Sequence, residues 1–121
     1  MSRVLVVDDN EDVRGVIRCL LEDEGYDVTE AGNGAEALTR FAEAPADAVV
    51  MDIIMPEKEG LETIRELKKI DANVGVIAIS GGGRIGPGCY LESAQWLGAA
   101  YVFSKPLDHA KFLDAVRELT S

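Results

Sequence analysis

The stretch Ala48-Val49-Val50-Met51-Asp52 places four apolar residues in a row and then a carboxylate. A strand with one wet face would alternate apolar and polar residues. A run with no polar position suits a strand covered on both faces. Three further runs have the same character: Val4–Val7, Val74–Ile79 and Ala99–Phe103, each bounded by polar or turn residues. A weaker strand, Asp27–Ala31, reads as the edge of the same sheet.

Amphipathic segments lie between these runs. Val13, Val16, Ile17, Leu20 and Leu21 mark one helical face, ended by Gly25. Ala35, Leu38, Phe41 and Ala42 mark a second. Leu61, Ile64, Leu67 and the stem of Lys68 mark a third. Phe112, Val116 and Leu119 mark the last, with Asp108 placed to cap it. Strands and helices alternate along the whole chain, and parallel strands need helical crossovers. The pattern predicts an α/β fold: a flavodoxin-like, doubly wound, five-stranded parallel sheet of order 2-1-3-4-5, with helices on both faces. The irregular piece is Ser80–Gly88, whose glycines and Pro87 predict a loop before a fourth helix carrying Tyr90 and Trp96.

The 121 residues suit one domain, residues 1–121, and 47% hydrophobic with 28% charged residues suits a globular one. No apolar stretch reaches the length of a membrane span, and the first residues do not form a secretory signal. The expectation is a cytoplasmic protein without a membrane partner. A net charge of −10 repels nucleic acid and argues against direct binding to it. Cys19 and Cys89 are far apart and fit neither a metal nor a redox spacing. The lone histidine, His109, falls in the first turn of the last helix and reads as a surface residue.

In open parallel sheets, functional groups collect at the carboxyl ends of the strands. Here those ends carry Asp8 and Asp9, Asp52, Ser80 and Lys105. Two carboxylates a few ångströms apart repel by roughly 4 kcal/mol at an effective dielectric near 20. Such a cluster calls for compensation by a cation or by Lys105. All-oxygen ligands favour a hard divalent ion, and Mg²⁺ typically takes one or two carboxylates together with water and phosphate oxygens. Around a central aspartate, a metal, a lysine and a hydroxyl suit phosphoryl transfer to that aspartate, Asp52.

Four pieces, Val-Val-Asp8-Asp9, Met-Asp52-Ile-Ile-Met-Pro56, Ile-Ser80-Gly81 and Phe-Ser-Lys105-Pro106, stand in this order and at these intervals. Together they resemble the receiver domain of two-component response regulators. Ala31-Gly-Asn-Gly-Ala-Glu-Ala-Leu38 resembles that family's entry into its second helix, with Asn33-Gly34 as the turn. The resemblance implies Asp52 as phosphoacceptor, and Asp9, Asp52 and the backbone carbonyl of Ile54 as Mg²⁺ ligands, with Asp8 acting mostly through a metal-bound water. It implies Ser80 and Lys105 as phosphoryl-binding groups and a cis peptide bond before Pro106. The donor it implies is a phosphohistidine on a sensor histidine kinase or a histidine phosphotransfer protein. The chain would then be a phosphorylation-dependent switch, not an enzyme acting on external substrates, although it promotes its own phosphorylation and dephosphorylation. The Ser80–Gly98 region would change conformation to control partner binding.

Two positions differ from the family's habit. The interval from Ser80 to Gly98 is a few residues longer, and Val102 stands where a switching Tyr or Phe is frequent. The chain reads as a stand-alone receiver or as one domain of a longer regulator. Two other functions compete: a pseudo-receiver scaffold, opposed by the intact acidic set, and a small Mg²⁺-dependent phosphohydrolase. The hydrolase needs a second acid two residues after Asp52, where Ile54 stands.

Overall fold

The computed structural model describes residues 2–52, 58–80, 99–104 and 108–120; for residues 58–61, 80 and 104 it describes the backbone alone. The element order is β1 (Arg3–Val7), α1 (Glu11–Asp23), β2 (Asp27–Ala31), α2 (Gly34–Glu43), β3 (Ala48–Asp52), α3 (Lys58–Ile70), β4 (Gly75–Ser80), β5 (Tyr101–Ser104) and α4 (His109–Thr120). All pairings are parallel and the strand order is β2-β1-β3-β4-β5, the expected topology. The expected helix between β4 and β5, with Tyr90 and Trp96, lies outside the described residues, as do the glycine loop and Cys89. Among the described residues no helix is long and apolar enough to cross a membrane.

The unbroken apolar runs are explained by two cores. Leu5, Val7, Val49, Met51, Val76 and Ala78 face one side, against Phe41 of α2 and Ile64 and Leu67 of α3. Val4, Val6, Val50, Ile77 and Ile79 face the other, against Ile17 and Leu21 of α1 and Phe112 and Val116 of α4. Successive side chains point to opposite faces, so a strand buried on both sides has no position left for a polar residue. The edge strand β2 is only partly buried along most of its length, which is why its sequence reads more weakly.

Helix ends follow local chemistry. Asn10 caps α1, its side-chain oxygen accepting from the N–H groups of Asp12 and Val13. The helix stops at Gly25, whose φ of 92° is left-handed, with Gly25 N–H donating to Glu22 and Tyr26 N–H to Leu21. That is the Schellman arrangement, and it favours a residue without a Cβ. Asp108 caps α4 as expected, accepting from Lys111 N–H at 3.1 Å. Gly75 has a different reason: a Cβ there would meet Leu119 of α4 at 2.9 Å.

Several expectations need correction. Asn33 is the N-cap of α2 and not a turn residue, accepting from Glu36 N–H at 2.8 Å. Glu36 reaches back to Gly32 N–H, in the manner of a capping box. Because Gly34 opens this helix facing the core, the buried stripe runs Gly34, Ala37, Leu38, Phe41, at i, i+3, i+4 and i+7, and Ala35 and Ala42 turn outward. In α1 the stripe is centred on Val13, Ile17 and Leu21, and Val16, one residue off it, is 55% exposed. Two strands begin later than read. Val74 belongs to a turn closed on Asp71, and Ala99 and Ala100 precede β5.

Candidate functional site

Asp8 follows the last residue of β1, and Asp52 is the last residue of β3, the strand paired with it. Parallel strands in register deliver both to the same end of the sheet. Asp8 is 1% exposed and Asp52 6%, whereas Asp9 is open to solvent. One carboxylate oxygen from each of Asp8, Asp9 and Asp52 lies within 4.8 Å of the other two. The paired strands β1 and β3 therefore bring Asp52 to the Asp8-Asp9 pair, from which it is distant in sequence.

The segment joining β1 to α1 is held at several points. Asp8 N–H donates to Ala31 O at 3.1 Å, across to the end of β2. Asp8 Oδ1 accepts from Asn10 N–H at 2.8 Å. The Asp8 carbonyl accepts from Arg14 Nη1 at 2.7 Å. Arg14 also donates through Nε to Glu30 Oε1 at 2.9 Å, and Arg18 Nη1 donates to Glu30 Oε2 at 2.7 Å. Burial would raise the Glu30 pKa, but the hydrogen bonds and charges of Arg14 and Arg18 outweigh it and hold the carboxyl below its ordinary value. The same contact with Glu30 holds Arg18 above its ordinary value.

The donor set fits a hard cation. It is all oxygen, and two oxygens on opposite sides of one Mg²⁺ lie about 4.2 Å apart. The three oxygens lie within 4.8 Å of one another, a spread that one such ion and its bound water can bridge. Of the other expected site residues, Ser80 ends β4 beside β3, where Asp52 registers with Ile79, and its side chain lies outside what is described. Ile54, Lys105, Pro56 and the bond before Pro106 lie outside the described residues. Val102 is partly buried and packs against the core on the α2 and α3 side.

Sequence reasoning missed Asn10, Arg14, Arg18 and Glu30. Local signals placed each of them but did not pair them. Asn10 directly precedes a helix, Arg14 and Arg18 share one of its faces at i and i+4, and Val28 and Glu30 alternate on the same side of an edge strand.

A sequence profile of the family described as "Response regulator receiver domain" matches residues 4–117. The chemotaxis protein CheY of Halobacterium salinarum is 35% identical over 98% of this chain and 96% of its own length. Sporulation initiation phosphotransferase F of Bacillus subtilis is 31% identical over 97% of this chain and 92% of its own. The solved structure of a response regulator receiver domain protein from Clostridium thermocellum superposes with a TM-score of 0.89 at 30% identity, covering 99% of this chain and 94% of that one. With its strand order, its acidic strand ends and these relatives in agreement, the chain belongs to the response regulator receiver domains, the signalling switches of two-component systems.

Proposed function

We propose that Asp52 is the phosphoacceptor and that Asp8, Asp9, Asp52 and the Ile54 carbonyl form its Mg²⁺ site. The observation that carries this is the meeting of the three carboxylates within 4.8 Å at the ends of β1 and β3. A carboxylate oxygen of Asp52 attacks the phosphorus of a phosphohistidine. The P–N bond breaks, its electron pair returns to the ring nitrogen, and Asp52 carries an acyl phosphate. Bound Mg²⁺ supplies positive charge to the phosphoryl oxygens. Lys105 and the Ser80 hydroxyl supply a charge and a donor to the same oxygens. Burial of Asp52 keeps bulk water from the acyl phosphate, and the same pocket admits the slower hydrolysis by which the chain loses its phosphate.

The donor is a phosphohistidine on a sensor histidine kinase or a histidine phosphotransfer protein, a reading supported by the likeness to a sporulation phosphotransferase. Residues 1–121 act as a single receiver domain in the cytoplasm. Phosphorylation repositions the Ser80–Gly98 region and so changes which partner binds. Incubation with Mg²⁺ and acetyl phosphate should add one phosphate, read by intact mass, while Asp52→Asn stays unmodified and EDTA prevents labelling. Labelling of Asp52→Asn, or equal labelling in EDTA, would refute this assignment. Turnover of added phosphate esters would favour a hydrolase instead.

A further inference from the structure

We propose that Arg14 is a positioning residue for the metal pocket, acting through the peptide group that joins Asp8 to Asp9. This rests on the assignment of Asp8 and Asp9 as Mg²⁺ ligands. The carbonyl that Arg14 holds at 2.7 Å is the oxygen of that peptide group. Its orientation fixes ψ of Asp8 and φ of Asp9, and hence the relative directions in which the two carboxylates leave the chain.

The guanidinium is itself fixed. It is planar with its donors in a rigid fork, so holding one nitrogen aims the others. Nε is held by Glu30 at 2.9 Å, and Glu30 is held on its second oxygen by Arg18 at 2.7 Å. Glu30 sits on β2, whose register with β1 is set by backbone pairing, Val6 opposite Glu30 and Val7 opposite Ala31. The Arg14 side chain is 15% exposed, so its contacts are largely shielded from competing water. A line of contacts thus runs from the edge strand through Glu30 and Arg14 to the peptide between two ligands. No neutral side chain at position 14 supplies both forks of that line, and lysine, with one compact ammonium, cannot span them in a fixed plane.

The sign of the effect separates positioning from plain electrostatics. Arg14 is a cation bonded to the backbone between two of the three acids. If its charge were all that mattered, Arg14→Gln would make the pocket more negative and bind Mg²⁺ more tightly, and Arg14→Lys would change nothing. Positioning predicts the reverse. Calorimetric titration with Mg²⁺ alone, at a temperature where all proteins are folded by circular dichroism, should show Arg14→Gln binding three- to tenfold more weakly. Arg14→Lys, which keeps the charge and the apolar stem, should bind two- to fivefold more weakly. In acetyl phosphate labelling, both variants should need more Mg²⁺ for half-maximal rate and should approach the wild-type rate at saturation. Tighter binding by Arg14→Gln, or affinities of both variants within a factor of 1.5 of wild type while Asp9→Asn is strongly weakened, would overturn the proposal. Wild-type protein that takes up no Mg²⁺ in the millimolar range would instead remove the metal assignment, and the role of Arg14 with it.

Discussion

Two groups of charged side chains lie at the same end of the β1–β2 pair and are built on opposite plans. In one, Asp8, Asp9 and Asp52 bring three carboxylates within 4.8 Å, two of them almost withdrawn from solvent. In the other, Glu30 sits between Arg14 and Arg18 and each of its oxygens accepts a short, charge-assisted hydrogen bond. The first arrangement calls for compensating positive charge, since like charges repel and buried carboxylates are poorly solvated. The second contributes stability, modestly because it is partly exposed. A fold accepts the first where a cation is to be bound, and uses the second to hold its parts in place. Arg14 touches both, donating to Glu30 and to the Asp8 carbonyl.

The acidic group should give the larger response when a charge is removed. Asp9 is exposed, so Asp9→Asn relieves repulsion without leaving a buried amide unsatisfied. In EDTA the variant should melt roughly 3 °C higher than wild type. Mg²⁺ stabilises only the folded state, so 10 mM Mg²⁺ should raise the wild-type melting temperature by several degrees and the variant's far less. Calorimetry should show Mg²⁺ affinity down at least tenfold. A variant that melts lower in EDTA and keeps the full Mg²⁺ response would erase the contrast between the two groups.

Removing the charge of Glu30 should have the opposite sign and a smaller size. Its pKa is depressed in the folded state, so its contribution is complete above the ordinary glutamate value of 4.5 and is lost as pH falls through the depressed folded value. Glu30→Gln should therefore unfold in less urea at pH 7, by roughly 1 kcal/mol after allowance for solvent screening. The difference should shrink below pH 4.5, first as the unfolded chain takes up the proton and then as the folded Glu30 does. Arg14 and Arg18 face it, with Glu11 and Glu22 behind them at 3.9 and 3.8 Å, and these are common to both proteins. A difference independent of pH would mean that packing of the side chain, not its charge, supplies the stabilisation.

Most of the sheet was legible because its cause is local. Four apolar runs and a weaker edge strand, separated by helical periodicity, leave few topologies, and the strand ends then place Asp8, Asp9 and Asp52 together without further information. What escaped was decided across the chain. Val16 and Ala42 are as apolar as their buried neighbours, and only the rotation of each helix against the sheet turns them outward. Gly34 looked like a turn residue because glycine after asparagine usually is one, yet it is buried in the first turn of α2. Glu30 looked like an ordinary polar residue on an edge strand. Its role depends on Arg14 and Arg18, sixteen and twelve positions away, and no local pattern announces that pairing.

A third charged contact, on the opposite edge of the sheet, provides the smallest test. Tyr101 opens β5 and donates from its hydroxyl to Glu118 Oε1 of α4 at 2.8 Å. This hydrogen bond, with help from burial and from the nearby negative charge, raises the Tyr101 pKa above 10.0. The contribution is therefore complete below pH 10 and is lost as pH rises through the folded value. In Glu118→Gln the carboxylate is gone, and the tyrosine pKa should fall back toward 10.0 in an absorbance titration at 295 nm, with Tyr101→Phe identifying which of the three tyrosines moved. The contact is exposed, so the melting temperature at pH 7 should change by no more than about 1 °C. Mg²⁺ affinity should not change, since Glu118 stands on α4 and Arg14 and Glu30 hold the Asp8 segment from the other edge of the sheet. An unmoved tyrosine titration would show that the hydrogen bond does not persist in solution. A shift in Mg²⁺ affinity would show that charge at either edge reaches the pocket, and the distinction between a framework cluster and a binding cluster would then rest on distance alone.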